Sequence, residues 1–289
     1  MKAMIFGANG QDGFYLSELC KIKGIETITV SRSGAHLHAD VANYNDVERL
    51  IKRHLPDYVF HLAANSTTDH NALFENHKTI STGTLNILEI VKRNNPSTKI
   101  FITGSGVQFE NNGEPISEHN NFEANSPYSV ARIHSVYAAR YYRSLGIKTY
   151  VGYLFHHESP LRKPKHVSQI IVQLANSVAK GSKEIIDLGN ISVQKEWTFA
   201  GDIVKGIFTL VEQDDVFEAT IGSGITYSIK DWLELCFAIV GKSWKDHVLI
   251  CKEFKTEYHK LFSNPATINS LGWKPEMSLE QTAMLMINN

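Results

Sequence analysis

The chain has little cysteine: three residues in 289, Cys20, Cys236 and Cys251, none in a C-x-x-C spacing. An odd count without a framework argues against a disulfide-stapled secreted scaffold and against a structural zinc site. It also lacks an excess of charge. The 29 basic side chains face 30 acidic ones, for a formal net charge of −1. No global positive field recruits nucleic acid, and anionic ligands must bind through local sites. No apolar run approaches the roughly 18 residues of a membrane span, so no membrane partner is expected. The first residues, Met1 to Phe6, read as a strand followed directly by glycines, not as a signal peptide. The cytoplasm is the expected location. Repeats and low-complexity tracts are missing. With 43% hydrophobic and 20% charged residues, the composition is that of an ordinary globule.

What is present is an alternation of periods. Apolar runs at 4–6, 25–30, 58–62, 99–103 and 147–155 read as strands. Segments at 14–23, 44–54, 83–92 and 127–145 carry helical spacing between them. This rhythm predicts an α/β fold, a Rossmann-type doubly wound parallel sheet with helices on both faces. Beyond Pro160 the rhythm loosens, with helices expected at 167–180 and 228–240 and after Ser278. Length alone suggests about two domains at roughly 150 residues each. The reading is a dinucleotide-binding domain at 1–160 and a smaller C-terminal α/β substrate domain at 161–289, with about 190–215 interleaved with the first.

Gly7-Ala8-Asn9-Gly10-Gln11-Asp12-Gly13 lies directly between a strand and a helix. The first glycine permits the turn, the second lets backbone approach a pyrophosphate, and the third permits close helix–strand packing. The second strand ends in Ser31-Arg32-Ser33 and no acid. An acid would bond the ribose diol of NAD, whereas arginine pairs with a 2′-phosphate, so NADP is the expected cofactor and NAD the alternative. Asp40 and Val41 stand where the next turn could hold an adenine edge, or Asp40 caps a helix. Ala63-Ala64, after the strand at 58–62, lets the chain pass close to the cofactor.

At the other end, Thr103-Gly104-Ser105-Gly106 closes a strand, and Ser126-Pro127-Tyr128-Ser129-Val130-Ala131-Arg132 opens a helix. A tyrosine and a cation four residues apart share one helix face. A cation beside a phenol favours the phenolate, so such a pair can exchange protons with a sugar hydroxyl, and the cation can also bond nicotinamide ribose. The plainer reading is a surface pair. Thirteen histidines invite a metal, yet the densest cluster, His156-His157-Glu158, puts adjacent residues on opposite faces of a strand and makes a poor chelate. No metal site is expected. His157 or Glu158 could instead shape a pocket.

With these motifs in order, the chain resembles the extended short-chain dehydrogenase/reductase (NAD-dependent epimerase/dehydratase) family, and within it the GDP-mannose 4,6-dehydratase branch. The resemblance spans nearly the whole chain. It rests on Gly7 to Gly13, the cofactor segment Phe60-His61-Leu62-Ala63-Ala64-Asn65-Ser66, the tyrosine helix, Leu154 to Pro160, Gly189 to Trp197, and Leu271 to Pro275. It implies transient oxidation at sugar C4, with tyrosine taking the hydroxyl proton. In a dehydratase, water is then lost across C5 and C6. The chemistry asks for a lysine, a hydroxyl residue and a glutamate beside the tyrosine. Arg132 stands at the lysine, Gly104 at the hydroxyl and Gly106 at the glutamate. Thr103 and Ser105 flank the hydroxyl position, and Glu110 lies four residues past Gly106.

The resemblance further implies a nucleotide-sugar substrate, GDP-linked, held through its diphosphate by Arg162, Gln169, Lys195 and Lys255. Asn65, Ser66, His157, Glu158 and Trp197 are also placed at the substrate. A homodimer through the helices at 83–92 and 127–145 is implied as well. Loss of the glutamate leaves three readings beside the dehydratase: a 4-keto reductase, an epimerase, or a non-catalytic dinucleotide-binding module.

Overall fold

The computed structural model describes residues 1–34, 37–251 and 256–289. β1 (Lys2–Phe6) runs through the glycine turn into α1 (Gln11–Ile22). β2 (Glu26–Ser31), the edge strand β3 (Leu37–His38), α2 (Tyr44–His54), β4 (Tyr58–His61), a short α3 (Leu73–Asn76), α4 (Gly83–Asn94), β5 (Lys99–Ser105), α5 (Pro127–Ser144) and β6 (Thr149–Leu154) continue the alternation. Next come β7 (His157–Glu158), α6 (Val167–Ala179), β8 (Ile186–Leu188), β9 (Gln194–Lys195), β10 (Thr198–Phe199), α7 (Ala200–Val211) and β11 (Glu218–Ile221). The chain ends with β12 (Tyr227–Ser228), α8 (Ile229–Ile239), β13 (Val248–Ile250), β14 (Lys260–Leu261), α9 (Ala266–Ser270) and α10 (Leu279–Ile287).

The main sheet has seven strands, all parallel, in the order β11-β6-β5-β4-β1-β2-β3. This is the doubly wound sheet the periodicity predicts. Succession reverses between β1 and β4, and the crevice outside their carboxyl ends is where such sheets bind ligands. β11 was not legible in the sequence. Its four residues, Glu218-Ala219-Thr220-Ile221, lack the continuous apolar run that marks β1, β4 and β5, and it forms because it pairs with β6.

Strand alternation divides the core. Met4 and Phe6 of β1 face Val47, Leu50 and Val91 of α2 and α4, while Ala3 and Ile5 face Leu16 of α1 and Ile203 and Ile207 of α7. Each fully buried aliphatic or Phe side chain contributes about 1.5–3 kcal/mol. A third cluster joins α6, α8 and α10 through Leu174, Trp232, Phe237 and Met286. Local chemistry sets helix starts. Ser126 caps α5 through the amide of Ser129 at 3.1 Å, with Pro127 at the first helical position. Ser228 with Asp231, and Ser278 with Gln281, form capping boxes at α8 and α10.

Candidate active site

A cavity of about 520 Å³ opens at the carboxyl ends of β1, β4, β5 and β6. Its floor is the glycine loop. Gly7 has φ +90°, a conformation that favours glycine, and a Cβ there would meet the backbone nitrogen of Ala63 at 2.6 Å. A Cβ on Gly13 would meet the carbonyl oxygen of Gly7 at 2.5 Å. The nearest neighbour to a Cβ on Gly10 is 3.4 Å away, so that face is the open one. Gly10 supplies no side-chain cap to α1, which leaves the helix's first amides for an anion. This cradle fits the pyrophosphate of a dinucleotide. Ala63 backs the turn, while Leu62, Ala64 and Ser66 line the cavity and Asn65 does not. Asn9 lines it too, its amide nitrogen donating to Ser33 Oγ at 3.1 Å.

Tyr128 and Arg132, one turn apart on α5, both line the cavity. The Arg132 guanidinium carbon lies 5.0 Å from the Tyr128 ring centroid, and its Nη1 donates to the Thr103 carbonyl at 2.6 Å. The cation is therefore held over the ring face and tied to the end of β5. Thr103 also lines the cavity, but its hydroxyl donates across the sheet to the His61 carbonyl at 2.8 Å. Ser105, at the end of β5, is half-buried at the cavity wall, and its amide donates to Gln108 Oε1 at 2.8 Å.

The glycines at the supporting positions are sealed. A Cβ on Gly104 would lie 2.5 Å from the Tyr153 ring, and one on Gly106 would lie 2.7 Å from the Phe155 ring. Aromatic side chains from β6 and the residue just after it occupy the space in which the hydroxyl and glutamate implied by the resemblance would begin. Glu110 does not line the cavity. It is exposed and accepts from the Asn121 side-chain amide at 3.3 Å.

The segment after β6 ties this centre to the second half of the chain. Gln11 donates to the His157 carbonyl at 3.3 Å and accepts from Ser159 Oγ at 2.9 Å. His157 Nε2 lies 2.9 Å from Asp12 Oδ1, and its Nδ1 lies 2.7 Å from the Phe155 carbonyl. Burial alone would raise the Asp12 carboxyl, but His157, with Arg162 and Arg132 farther off, holds it below its ordinary value. Burial would lower His157, and Asp12 prevails and raises it. Glu158 lies behind the cavity wall, fully buried, accepting from Ser168 Oγ at 2.5 Å. Its carboxylate stands 3.6 Å from Arg162 Nε and 3.7 Å from Lys195 Nζ. Burial pushes Glu158 up, and those two cations hold it below its ordinary value. Arg162 and Lys195 line the cavity and form a cationic wall held from behind by one carboxylate.

Several of the expected residues lie away from this cavity or have other partners. Arg32 does not line the cavity. Its guanidinium lies 2.9 Å from the Glu75 carboxylate with both side chains in water, so its charge already has a partner. Asp40 accepts from the Ala42 amide at 2.9 Å, and Val41 is buried against Gly83; neither lines the cavity. Gln169 is a buried loop tie, donating to the Pro160 carbonyl at 3.0 Å. Trp197 belongs to the third core, stacked on Trp232 with centroids 4.8 Å apart and donating to the Tyr227 carbonyl at 2.9 Å. Lys255 lies outside the described residues. Sequence reasoning missed His156, Lys163, Lys165, His166, Glu257 and Tyr258, which all line the cavity. The two lysines continue the basic run that begins at Arg162. Glu257 and Tyr258 carry no local signal, and the Tyr258 hydroxyl meets His156 Nε2 at 3.1 Å only through folding. Among the described residues, no group of three His, Cys, Asp or Glu side chains is placed to hold a metal, and no helix is long and apolar enough to cross a membrane.

A seven-stranded doubly wound sheet, a glycine cradle and a tyrosine–cation helix at one cavity define the extended short-chain dehydrogenase/reductase class. A family model described as GDP-mannose 4,6 dehydratase matches residues 4–286, and the chain belongs to that family of NAD(P)-dependent, nucleotide-sugar-modifying enzymes. The chain is 29% identical to GDP-mannose 4,6 dehydratase 1 of Arabidopsis thaliana over 321 aligned positions, covering 99% of this chain and 88% of that one. Among solved structures, UDP-glucose 4-epimerase of Thermotoga maritima superposes with a TM-score of 0.89 at 20% identity, covering 100% of this chain and 98% of that one. UDP-glucose 4-epimerase of Thermus thermophilus, a complex with NAD, gives 0.87 at 17% identity, with 100% and 98% covered. The expectation of NADP is corrected. Two UDP-glucose 4-epimerases, dTDP-glucose 4,6-dehydratase of Bacillus anthracis and MoeE5, all of this fold, were solved with NAD, and RMD of Pseudomonas aeruginosa with NADPH. The arginine on which NADP rested is paired with Glu75.

Proposed function

We propose that the protein is an NAD-dependent enzyme that transfers hydride at C4 of a GDP-linked sugar. The observation that carries this reading is one cavity joining the glycine cradle, the Tyr128 and Arg132 pair, and the cationic wall of Arg162 and Lys195. Gly7, Gly10, Gly13 and the first turn of α1 would hold the dinucleotide, with NAD preferred on the strength of the NAD-bound structures of this fold. When bound, that cofactor supplies reversible hydride acceptance. Tyr128 exchanges the proton of the C4 hydroxyl. Ser105 bonds the same oxygen, since the hydroxyl of Thr103 is committed to His61. Arg132 keeps a positive charge over the Tyr128 ring, and Arg162 and Lys195 bind the diphosphate.

Phe155 over Gly106 favours an outcome without loss of water, an epimerisation or a 4-keto reduction. Family membership favours a second outcome, 4,6-dehydration. Incubation with NAD and GDP-mannose carrying deuterium at C4 tests both. Epimerisation should return the deuterium to C4 of the 4-epimer, a net oxidation should leave it on the nicotinamide, and dehydration should deliver it to C6. GDP-mannose recovered unchanged, with no 4-epimer, no deuterated nicotinamide and no lighter product, would sink the C4 reading. A product lighter by the mass of water would select dehydration. Leu85, Tyr137 and Tyr141 are exposed on α4 and α5, which supports a homodimer through those helices. Light scattering at micromolar concentration should show twice the chain mass, and a monomer would refute it.

A further inference from the structure

A second cavity of about 660 Å³ adjoins the first. Val107, Tyr258 and Leu261 line both, as do Thr68 and Glu257. The Thr68 hydroxyl donates to the Glu257 carboxylate, a bond that bridges the loop after β4 and the segment before β14 where the cavities meet. The junction is at the sugar end. Val107 follows Gly106 directly, and the second cavity continues along Ser126, two residues before Tyr128. The dinucleotide cradle and the cations for the diphosphate line only the first cavity, and C4 chemistry as described uses nothing in the second.

The second cavity has the composition of a polyol site. Asn112, Glu123 and Asn125 offer exposed amide and carboxylate groups. An amide donates and accepts, and a carboxylate accepts twice, which together complement neighbouring hydroxyls. Phe109 lies beneath, buried and packed edge-on against Tyr153 at 4.9 Å, so its ring is a fixed apolar surface. We propose that this cavity receives a polyhydroxylated extension of the sugar, and that the preferred substrate is a nucleotide-linked sugar longer than a hexose. Asn112, Glu123 and Asn125 bond its exocyclic hydroxyls. The inference rests on the C4 reading and names the substrate class for that site.

The test compares GDP-mannose with the GDP-linked heptose of the same ring configuration. Both are given to the full chain with NAD and followed as turnover and as calorimetric binding. The heptose should be preferred about tenfold, the effect of one or two net hydrogen bonds. Asn112→Trp with Glu123→Lys, both at exposed positions, should bring that ratio to about one while hexose values stay within about twofold. Equal or reversed preference in the unmodified protein overturns the proposal, as does a preference that survives the double substitution. Heptose-selective binding without C4 chemistry upholds the subsite and overturns the C4 reading. C4 chemistry without selectivity does the reverse, and binding of neither sugar overturns both.

Discussion

Replacing Gly106 with glutamate supplies the carboxylate that the resemblance implies at this position, and the structure says what it costs. The new Cβ would lie 2.7 to 2.9 Å from three carbons of the Phe155 ring, where carbon pairs pack best at about 3.5–4.0 Å. Phe155 is 3% exposed and packed in the core on one face of the sheet, so relief requires the ring to move by about an ångström. Overpacking of this kind costs about 1–3 kcal/mol. For a chain of this size the melting temperature should fall by roughly 2–8 °C. Calorimetric melting of the unmodified protein, Gly106→Glu, Phe155→Ala and the double variant measures the coupling. Phe155→Ala alone should cost about 3–5 kcal/mol. The double variant should be more stable than the sum of the singles by at least about 1 kcal/mol, because the clash has been removed. Additive effects, or a Gly106→Glu protein that melts normally, would refute the idea that Phe155 closes this position. If dehydration is limited only by the absent carboxylate, the double variant is also where a product lighter by water should first appear.

Tyr128→Phe should lower kcat by about 10²–10⁴-fold while dinucleotide binding persists; unchanged turnover would remove Tyr128 from the reaction. Arg162→Gln should raise KM for the nucleotide sugar roughly 10- to 100-fold with little change in kcat, the effect of one charge-assisted bond made equally in ground and transition states. Buried His61, whose ring nitrogens find no hydrogen-bond partner, is pushed by burial from 6.5 down to about 4, with nearby Arg132 adding to the effect. The unfolded chain binds the extra proton between those values, so stability should fall by roughly 2 kcal/mol from pH 6.5 to pH 5, and His61→Asn should flatten that slope in denaturant titrations. Asp12 acts on His157 in the opposite sense. The raised His157 contributes fully below pH 6.5 and loses its contribution as pH rises through its folded value. Asp12→Asn should therefore destabilise more at pH 6 than at pH 9, and equal losses would contradict the pairing.

The sequence by itself determined the features written in short segments. Glycines at 7, 10 and 13 between a strand and a helix encode the cradle, because backbone conformation and close approach depend on the residue at the turn. Tyr128 and Arg132 share a face because helical spacing puts them there, and α2 occurs at Tyr44–His54, where its periodicity placed it. The tertiary structure decided whatever depends on which distant groups meet. Arg32 looks like a phosphate ligand until Glu75 pairs with it. Trp197 looks like a pocket residue until Trp232 stacks on it. Asp12 and His157, 145 positions apart, and Glu158 between Arg162 and Lys195 acquire their electrostatics only from that proximity. The glycine at 106 is visible in the chain, but the ring of Phe155 that fills its place is not. Local conformation is carried by nearest neighbours, whereas charge partners and excluded volume come from strands and loops that only the closed sheet brings together.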